Sequence, residues 1–291
     1  MINVLLAACC SVLVSVLLKL ARRHDIDVAQ AIGWNYLAAS VLCALLLKPS
    51  LTTLMQPGAP WVSLLGLAVV LPTLFLVLAT SVRRAGIVLT DIAQRLSLLL
   101  SLLAAFLLFG ETASALKLGG LALGLLAVLG ILWRPQSSGA ANGERAWPVL
   151  LTVWAGLALV DVMLKHIAAA GTPFSASLLV CFGLAFAGMA VWLIIRAVAG
   201  RKSGQGRLTL RNCAAGLLLG AINFGNILFY VQAHRALPGQ PAVVFASMNI
   251  GVVVLGTLVG VLAFKEPLSR LNRAAIALAI LAIVLLALAK T

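Results

Sequence analysis

The chain has 291 residues, of which 63% are hydrophobic and 10% are charged. A soluble protein carries about a quarter charged residues, so this composition excludes a soluble protein and indicates one that lies in a lipid bilayer. The net charge of +14 does not indicate a nucleic-acid-binding protein, because the lysines and arginines form short clusters between apolar runs instead of lining one polar face.

The apolar runs predict an all-α integral membrane protein. Lipid offers the backbone no hydrogen-bond partners, so only helices or closed barrels cross it, and the runs lack the alternating pattern of barrel strands. A membrane-spanning helix needs about 20 apolar residues, and runs of that length give ten predicted spans. They extend over Ile2 to Leu20, Val28 to Leu47, Trp61 to Val82, Ile87 to Leu108, Ala115 to Trp133, Trp147 to Ile167, Phe174 to Ile195, Leu208 to Ala233, Pro241 to Phe264, and Leu271 to Ala289.

Two short echoes indicate that the chain contains an internal duplication. The segment Val14 to Lys19 is similar to Val160 to Lys165, and Phe109 to Ser114 is similar to Phe264 to Ser269. The echoes occur in the same order and at nearly the same offset, and five predicted spans fall in each half of the chain. Duplication therefore explains them better than chance.

We accordingly expect a first five-helix repeat at residues 1–133 and a second at 147–291. Residues 134–146 are rich in Ser, Gly and Ala, a composition typical of a flexible linker. Because each repeat has an odd number of spans, the second enters the membrane from the opposite side. This is the inverted-repeat plan of many secondary carriers, whose substrate site lies near the bilayer midplane between the halves, although channels share the plan.

With these features the chain resembles the drug/metabolite transporter superfamily, EamA type. The resemblance is carried by the two five-helix repeats, by a lysine that closes the first helix of each repeat (Lys19 and Lys165), and by a Phe-x-Glu turn after the fourth helix of each (Glu111 and Glu266). It implies a ten-helix bundle with a central cavity and a carrier or exporter of small metabolites. The expected location is the cell inner (plasma) membrane.

The charge distribution and the resemblance imply opposite orientations. Fourteen of the 21 lysines and arginines lie in the loops after odd-numbered helices, and four lie on the other face. Because positive charge accumulates in cytoplasmic loops, this bias predicts that both termini lie outside the cytoplasm. The resemblance implies that both termini are cytoplasmic.

Polar side chains within the spans are the candidates for a substrate cavity, because an ionisable residue costs about 2.5–3.5 kcal/mol at the centre of a span. Asp161 is the candidate for proton coupling, unless it is neutralised by Lys165 one helical turn later. Asp91 and Arg95 have the same spacing, and structural and functional interpretations of them are evenly balanced. The candidate substrate-binding residues are Ser15, Asn35, Gln94, Asp161, Asn223, Asn226, Tyr230 and Asn249, among which Gln94 and Asn249 hold equivalent positions in the two repeats.

Two further patterns indicate structural roles. Glu111 and Glu266 each stand in a turn before a helix, where unpaired backbone N–H groups and the helix dipole favour capping over catalysis. Pairs of small residues four apart, such as Gly256 and Gly260, allow close helix approach, either within the bundle or in a homodimer.

The sequence carries no H-E-x-x-H, G-x-S-x-G or nucleotide-binding Gly-rich motif,, and its five cysteines lack C-x-x-C spacing. We therefore expect no enzymatic activity, no catalytic residue, no cofactor and no metal. The expected partners are a small-molecule metabolite and the lipid bilayer. The alternatives left open are a flippase for lipid-linked sugars or other lipids, and an intramembrane enzyme or scaffold without transport.

Overall fold

The structure, a computed structural model, describes residues 2–55, 58–97, 99–100, 115–132, 146–199, 208–237 and 241–288. Within these residues every regular element is a helix, which confirms the prediction of an all-α protein. The α-helices are α1 (Ile2–Arg23), α2 (Val28–Leu47), α3 (Trp61–Arg84), α4 (Ile87–Leu96), α5 (Ala115–Leu132), α6 (Trp147–Ala169), α7 (Phe174–Ala199), α8 (Leu210–Ala236), α9 (Pro241–Leu262) and α10 (Arg270–Leu288), and a 3-10 helix (Thr52–Met55) lies between α2 and α3.

In the part of the chain that the structure describes, six helices are long and apolar enough to cross a membrane. They are α1, α2, α3, α6, α7 and α8. Their ends lie within a few residues of the predicted spans, because the charged, Pro and Gly residues that bound the apolar runs also end the helices. Ten membrane spans in two inverted repeats stay a prediction.

The fourth predicted span differs from the structure. We expected one helix from Ile87 to Leu108, but α4 ends at Leu96 and Ser97 forms a turn. Residues 99–100 are helical again, and residues 101–108 lie outside the described part. Hydropathy alone did not predict this interruption, because the leucines at positions 98–100 extend the apolar run beyond Ser97.

Asp27 determines where α2 begins. Its Oδ1 accepts hydrogen bonds from the backbone N–H groups of Ala29 (3.0 Å) and Gln30 (3.4 Å), which is the usual action of an N-cap residue. Both carboxylate oxygens also accept from the Arg196 guanidinium, at 3.2 and 2.8 Å. One side chain therefore caps α2 and ties it to α7.

We expect Asp27→Ala to lower the free energy of unfolding by roughly 1 kcal/mol through loss of the cap. Asp27→Asn should cost less, since asparagine caps helices well and the ion pair that it breaks is partly solvated. The midpoint of thermal unfolding in detergent would measure both, with Asp25→Ala as the control in the adjacent loop. Equal effects of the two Asp27 variants would contradict the capping role.

The chain divides into two compact units, and each contains segments from both halves of the sequence. In the first unit α4 packs against α9 and α5 against α10, and in the second α2 packs against α7. Each of these pairs joins helices with the same position in the two predicted repeats. The first unit comprises Met1–Val16, Val77–Leu159 and Gly225–Thr291, and the second comprises Leu17–Leu76 and Val160–Phe224.

The first unit has an apolar cluster of small and β-branched side chains between α1, α8 and α9. These side chains are at most 4% exposed, and small residues let helices approach closely in lipid, where no hydrophobic driving force holds them together. The cluster contains Val4, Ala7, Ala8, Val12, Ala233, Val244, Met248 and Val252.

In the second unit, two glycines bring α8 directly against the backbone of α2. A Cβ atom at Gly216 would lie 2.5 Å from the backbone oxygen of Ala31, and one at Gly220 would lie 2.5 Å from the backbone oxygen of Asn35. Any side chain at these positions would have to push the helices apart. The four-residue spacing is the small-residue pattern of close membrane helix pairs, although we did not single out this pair in the sequence.

Candidate functional site

A buried carboxylate lies at the centre of a polar cluster in the first unit. Asp91 of α4 is 1% exposed. Its Oδ1 accepts a hydrogen bond from Ser15 Oγ of α1 at 2.8 Å and another from Gln94 Nε2 at 3.0 Å. Ser15 and Gln94 were both predicted as cavity residues, and Asp91 is what brings them together.

Arg95 extends this cluster to a third helix. Its Nη2 donates to Ser11 Oγ of α1 at 2.8 Å, and its Nη1 lies 3.5 Å from Asn249 Oδ1 of α9, which is long for a hydrogen bond. Since residues four apart share a helix face, Ser11 and Ser15 on α1 match Arg95 and Asp91 on α4. We define the polar cluster as Ser11, Ser15, Asp91, Gln94, Arg95 and Asn249.

The backbone of α9 closes the other side of the carboxylate. A Cβ atom at Gly256 would lie 2.5 Å from Asp91 Oδ2, and one at Gly260 would lie 2.5 Å from Val88 Cγ2. The prediction that Gly256 and Gly260 permit close helix approach is therefore confirmed. Within the described residues, Asp91 Oδ2 has no hydrogen-bond partner.

The interruption of α4 follows the polar cluster directly. Leu100 N donates to the oxygen of Ser97 at 3.0 Å, a 3-10 type bond, and the oxygen of Leu96 instead accepts from Trp154 Nε1 of α6 at 2.8 Å. The indole thus satisfies the carbonyl where the regular α-helix ends. Interrupted helices that are buried in protein are characteristic of carrier sites.

Glu266 caps α4 and not the helix that follows it in sequence. Its carboxylate accepts from the backbone N–H groups of Ile87 (2.8 Å) and Val88 (3.1 Å). The start of α10 is capped by Ser269, whose Oγ accepts from Asn272 N at 3.0 Å. Our prediction that Glu266 is a capping residue is confirmed, but we had associated it with the adjacent helix. Glu111 lies outside the described residues.

A second pair of predicted residues meets in the second unit. Asn223 Nδ2 of α8 donates to Asn35 Oδ1 of α2 at 3.2 Å, and Asn35 is fully buried. In the described part of the chain, Asn35 Nδ2 and the hydroxyl of Tyr36 have no hydrogen-bond partner. The ring of Tyr36 contacts the rings of Phe75 and Phe182, at centroid distances of 6.2 and 6.0 Å.

The remaining predicted residues lie elsewhere. Asp161 of α6 and Asn226 of α8 are half-buried. Tyr230 packs against the apolar cluster of the first unit, and its ring lies 4.6 Å from that of His234.

Sequence reasoning did not select Asp91, Arg95 or Ser11 as site residues. The signal that could have found them is the matching four-residue spacing on α1 and α4. Taking a carboxylate out of water costs several kcal/mol in desolvation, and Asp91 is buried with the half-buried Arg95 one helical turn away, so the cluster is an expensive feature of a membrane protein. Chemically, the polar cluster can bind or release a proton at Asp91, and the guanidinium of Arg95 can exchange one hydrogen-bond partner for another.

Comparison with known proteins identifies the family. The sequence model of the EamA-like transporter family matches residues 1–133. A protein of Haemophilus influenzae described as "Uncharacterized protein" is 40% identical over 277 residues, which cover 93% of this chain and 92% of that protein. The chain therefore belongs to the EamA-like transporter family, within the drug/metabolite transporter superfamily, and is a multi-pass membrane protein.

Proposed function

We propose that the protein is a secondary transporter that moves a small polar metabolite across the cell inner membrane by alternating access through a cavity between its two halves. The observation that carries this proposal is the polar cluster. Its residues come from α1 and α4 of the first half and from α9 of the second, and ionisable residues such as Asp91 inside a membrane protein are the first candidates for a functional site.

The helix pairings support the inverted-repeat part of the proposal. α2 packs against α7, α4 against α9 and α5 against α10. A two-fold axis places equivalent helices next to each other wherever they lie close to it, so these pairings are what a duplicated carrier requires. The rocking of the halves around a fixed site would then follow the usual scheme for such carriers.

The amide and hydroxyl groups are the proposed contacts for the substrate. They are Ser15, Asn35, Gln94, Asn223 and Asn249. Uncharged donors and acceptors favour a metabolite with several hydrogen-bonding groups. Asp161, Asn226 and Tyr230 remain proposed cavity residues.

The first experiment is a thermal-shift screen of metabolites on the purified full-length protein. A ligand that binds only the folded state at 100 times its Kd stabilises it by about 2.7 kcal/mol. Compounds that raise the melting temperature would then be tested for counterflow into liposomes that contain the protein. We expect Asn249→Ala to reduce both the shift and the counterflow, and Asn142→Ala in the predicted linker to change neither.

Two outcomes would contradict the proposal. Ligands that stabilise the protein but never exchange across the liposome membrane would indicate a binding protein or scaffold. Movement of a fluorescent lipid between leaflets, without exchange of any water-soluble compound, would indicate a flippase.

A further inference from the structure

We propose that Asp91 is a proton-binding site, and that its protonation state decides how firmly the Arg95 guanidinium is held by Ser11 and Asn249. This inference rests on the proposed function and deepens it by naming the coupling ion. It assigns to Asp91 the role that the sequence had suggested for Asp161.

The surroundings of Asp91 suit two protonation states. The carboxyl group is buried, and its Oδ1 already accepts two hydrogen bonds, from Ser15 and Gln94. The charged form is stabilised by these donors and by the nearby guanidinium of Arg95. The neutral form avoids the cost of a buried charge, which amounts to several kcal/mol per ion. The contacts around Asp91 therefore permit both the charged and the neutral form.

The same surroundings suit a proton better than a metal cation. The groups that contact Oδ1 are an O–H and an N–H that donate to it, whereas a hard metal cation is held by several oxygen ligands. At Oδ2 a methyl group on Gly256 would approach to 2.5 Å, so the backbone of α9 lies close to that oxygen. A proton needs neither such a set of ligands nor additional space.

Arg95 converts the protonation of Asp91 into a change between helices. Its Nη2 donates to Ser11 of α1, and its Nη1 lies 3.5 Å from Asn249 Oδ1 of α9; Ser11 and Asn249 are neutral. When Asp91 loses its proton to water, the guanidinium gains a charged neighbour one helical turn away, which competes with Ser11 and Asn249. Since α9 belongs to the second half of the chain, this competition loosens a contact between the halves.

An effect of pH on the polar cluster has to be assigned to one of two acids, Asp91 or Glu266. Arg95 and Glu266 are the charged groups that act on Asp91 in the described residues. The carboxylate of Glu266 is engaged by the N–H groups of Ile87 and Val88, so its role is to cap α4. The other facing groups are neutral, namely Ser11 and Ser15 of α1, Gln94 of α4, and Asn249 and Gly256 of α9.

The test is infrared difference spectroscopy of the full-length protein in phosphatidylcholine vesicles, perfused alternately with acidic and alkaline buffer. Protonation of a buried carboxylate produces a carboxylic acid C=O band at the expense of carboxylate bands. We expect Asp91→Asn to abolish the band of the buried acid and Asp91→Glu to restore it at a shifted frequency. Asp25→Asn, in an exposed loop, should leave the band of the buried acid unchanged.

A band that persists in Asp91→Asn, or that disappears in Asp161→Asn instead, would overturn the assignment. If Asp91→Asn does not fold, the displaced band in Asp91→Glu still identifies the residue, and an unshifted band there contradicts the proposal. The two proposals also fail separately. Counterflow without an Asp91 band refutes the proton site alone, whereas an Asp91 band without counterflow of any metabolite refutes the transport function alone.

Discussion

The largest destabilisation is expected at the contact of α8 with α2, where Gly220→Val should lower the free energy of unfolding strongly. The new Cβ would lie 2.5 Å from the backbone oxygen of Asn35 and 2.7 Å from the Cβ of Ala38. A flexible side chain can move out of the way, but the backbone of α2 cannot do so without separating from α8. Overpacking of this kind costs roughly 1–3 kcal/mol, and the contact with a backbone atom places the effect at the upper end of that range.

The measurement is the midpoint of thermal unfolding of the full-length protein in detergent, followed by circular dichroism. Gly183→Val is the matched control, because Gly183 also lies within a helix and a Cβ there meets nothing within 4 Å. We expect this control to melt close to the unmodified protein. If Gly220→Val and Gly183→Val melted at the same temperature, the close contact of α8 with α2 would be refuted. Gly216→Val provides an independent check on the same interface.

Gly86→Ala should have the second largest destabilising effect, because two unfavourable changes add: backbone strain and loss of a helix cap. Gly86 has a φ of +91° and a ψ of 170°, a region occupied essentially by glycine alone, which costs a residue with a Cβ roughly 1–3 kcal/mol. The added Cβ would also lie 2.6 Å from Glu266 Oε2. The carboxylate would have to leave the N–H groups of Ile87 and Val88, and α4 would lose its cap at a cost of about 1 kcal/mol.

A comparison of glycines separates the two changes. Gly58 has a φ of +97° and open space around its Cβ position, so Gly58→Ala measures the effect of a side chain at positive φ without a close contact. We expect Gly86→Ala to lower the melting temperature clearly more than Gly58→Ala does. In a double-mutant cycle, Glu266→Ala should add little to Gly86→Ala, because residues in contact are not additive. Full additivity would show that Gly86 and Glu266 act independently.

Residues of the second half of the chain contact α4 at two points. Glu266 holds the start of α4, and Gly256 lies against Asp91 one turn further along. A movement of α9 would therefore change the surroundings of the Asp91 carboxylate directly. This arrangement gives the proposed proton site a physical connection to the motion between halves that alternating access requires.

The helices were predictable because their signals are local. Asp27 stands where an N-cap is expected, and the apolar runs have the length that a bilayer demands. The pairing of Gln94 with Asn249 as equivalent positions was also a local inference from repeat spacing. The structure places both in one cluster, but through different partners, Asp91 for the amide of Gln94 and Arg95 for that of Asn249.

The contacts across the chain were not predictable in the same way. Nothing in the residues around Glu266 shows that its carboxylate binds the start of a helix that precedes it by more than 170 residues. The same holds for Ser15 and Asp91. Each of these side chains has an ordinary structural explanation from its local sequence. Only the position of its distant partner shows what it contacts.

By itself, the sequence determined that this protein is a bundle of apolar helices in a membrane, because hydropathy and helix capping act over one or two turns. Only the tertiary structure decided which polar side chains face one another and which glycines lie against a backbone. The reason is physical: in lipid, polar groups and small residues take their partners from other helices, and the choice of partner depends on the packing of the whole chain.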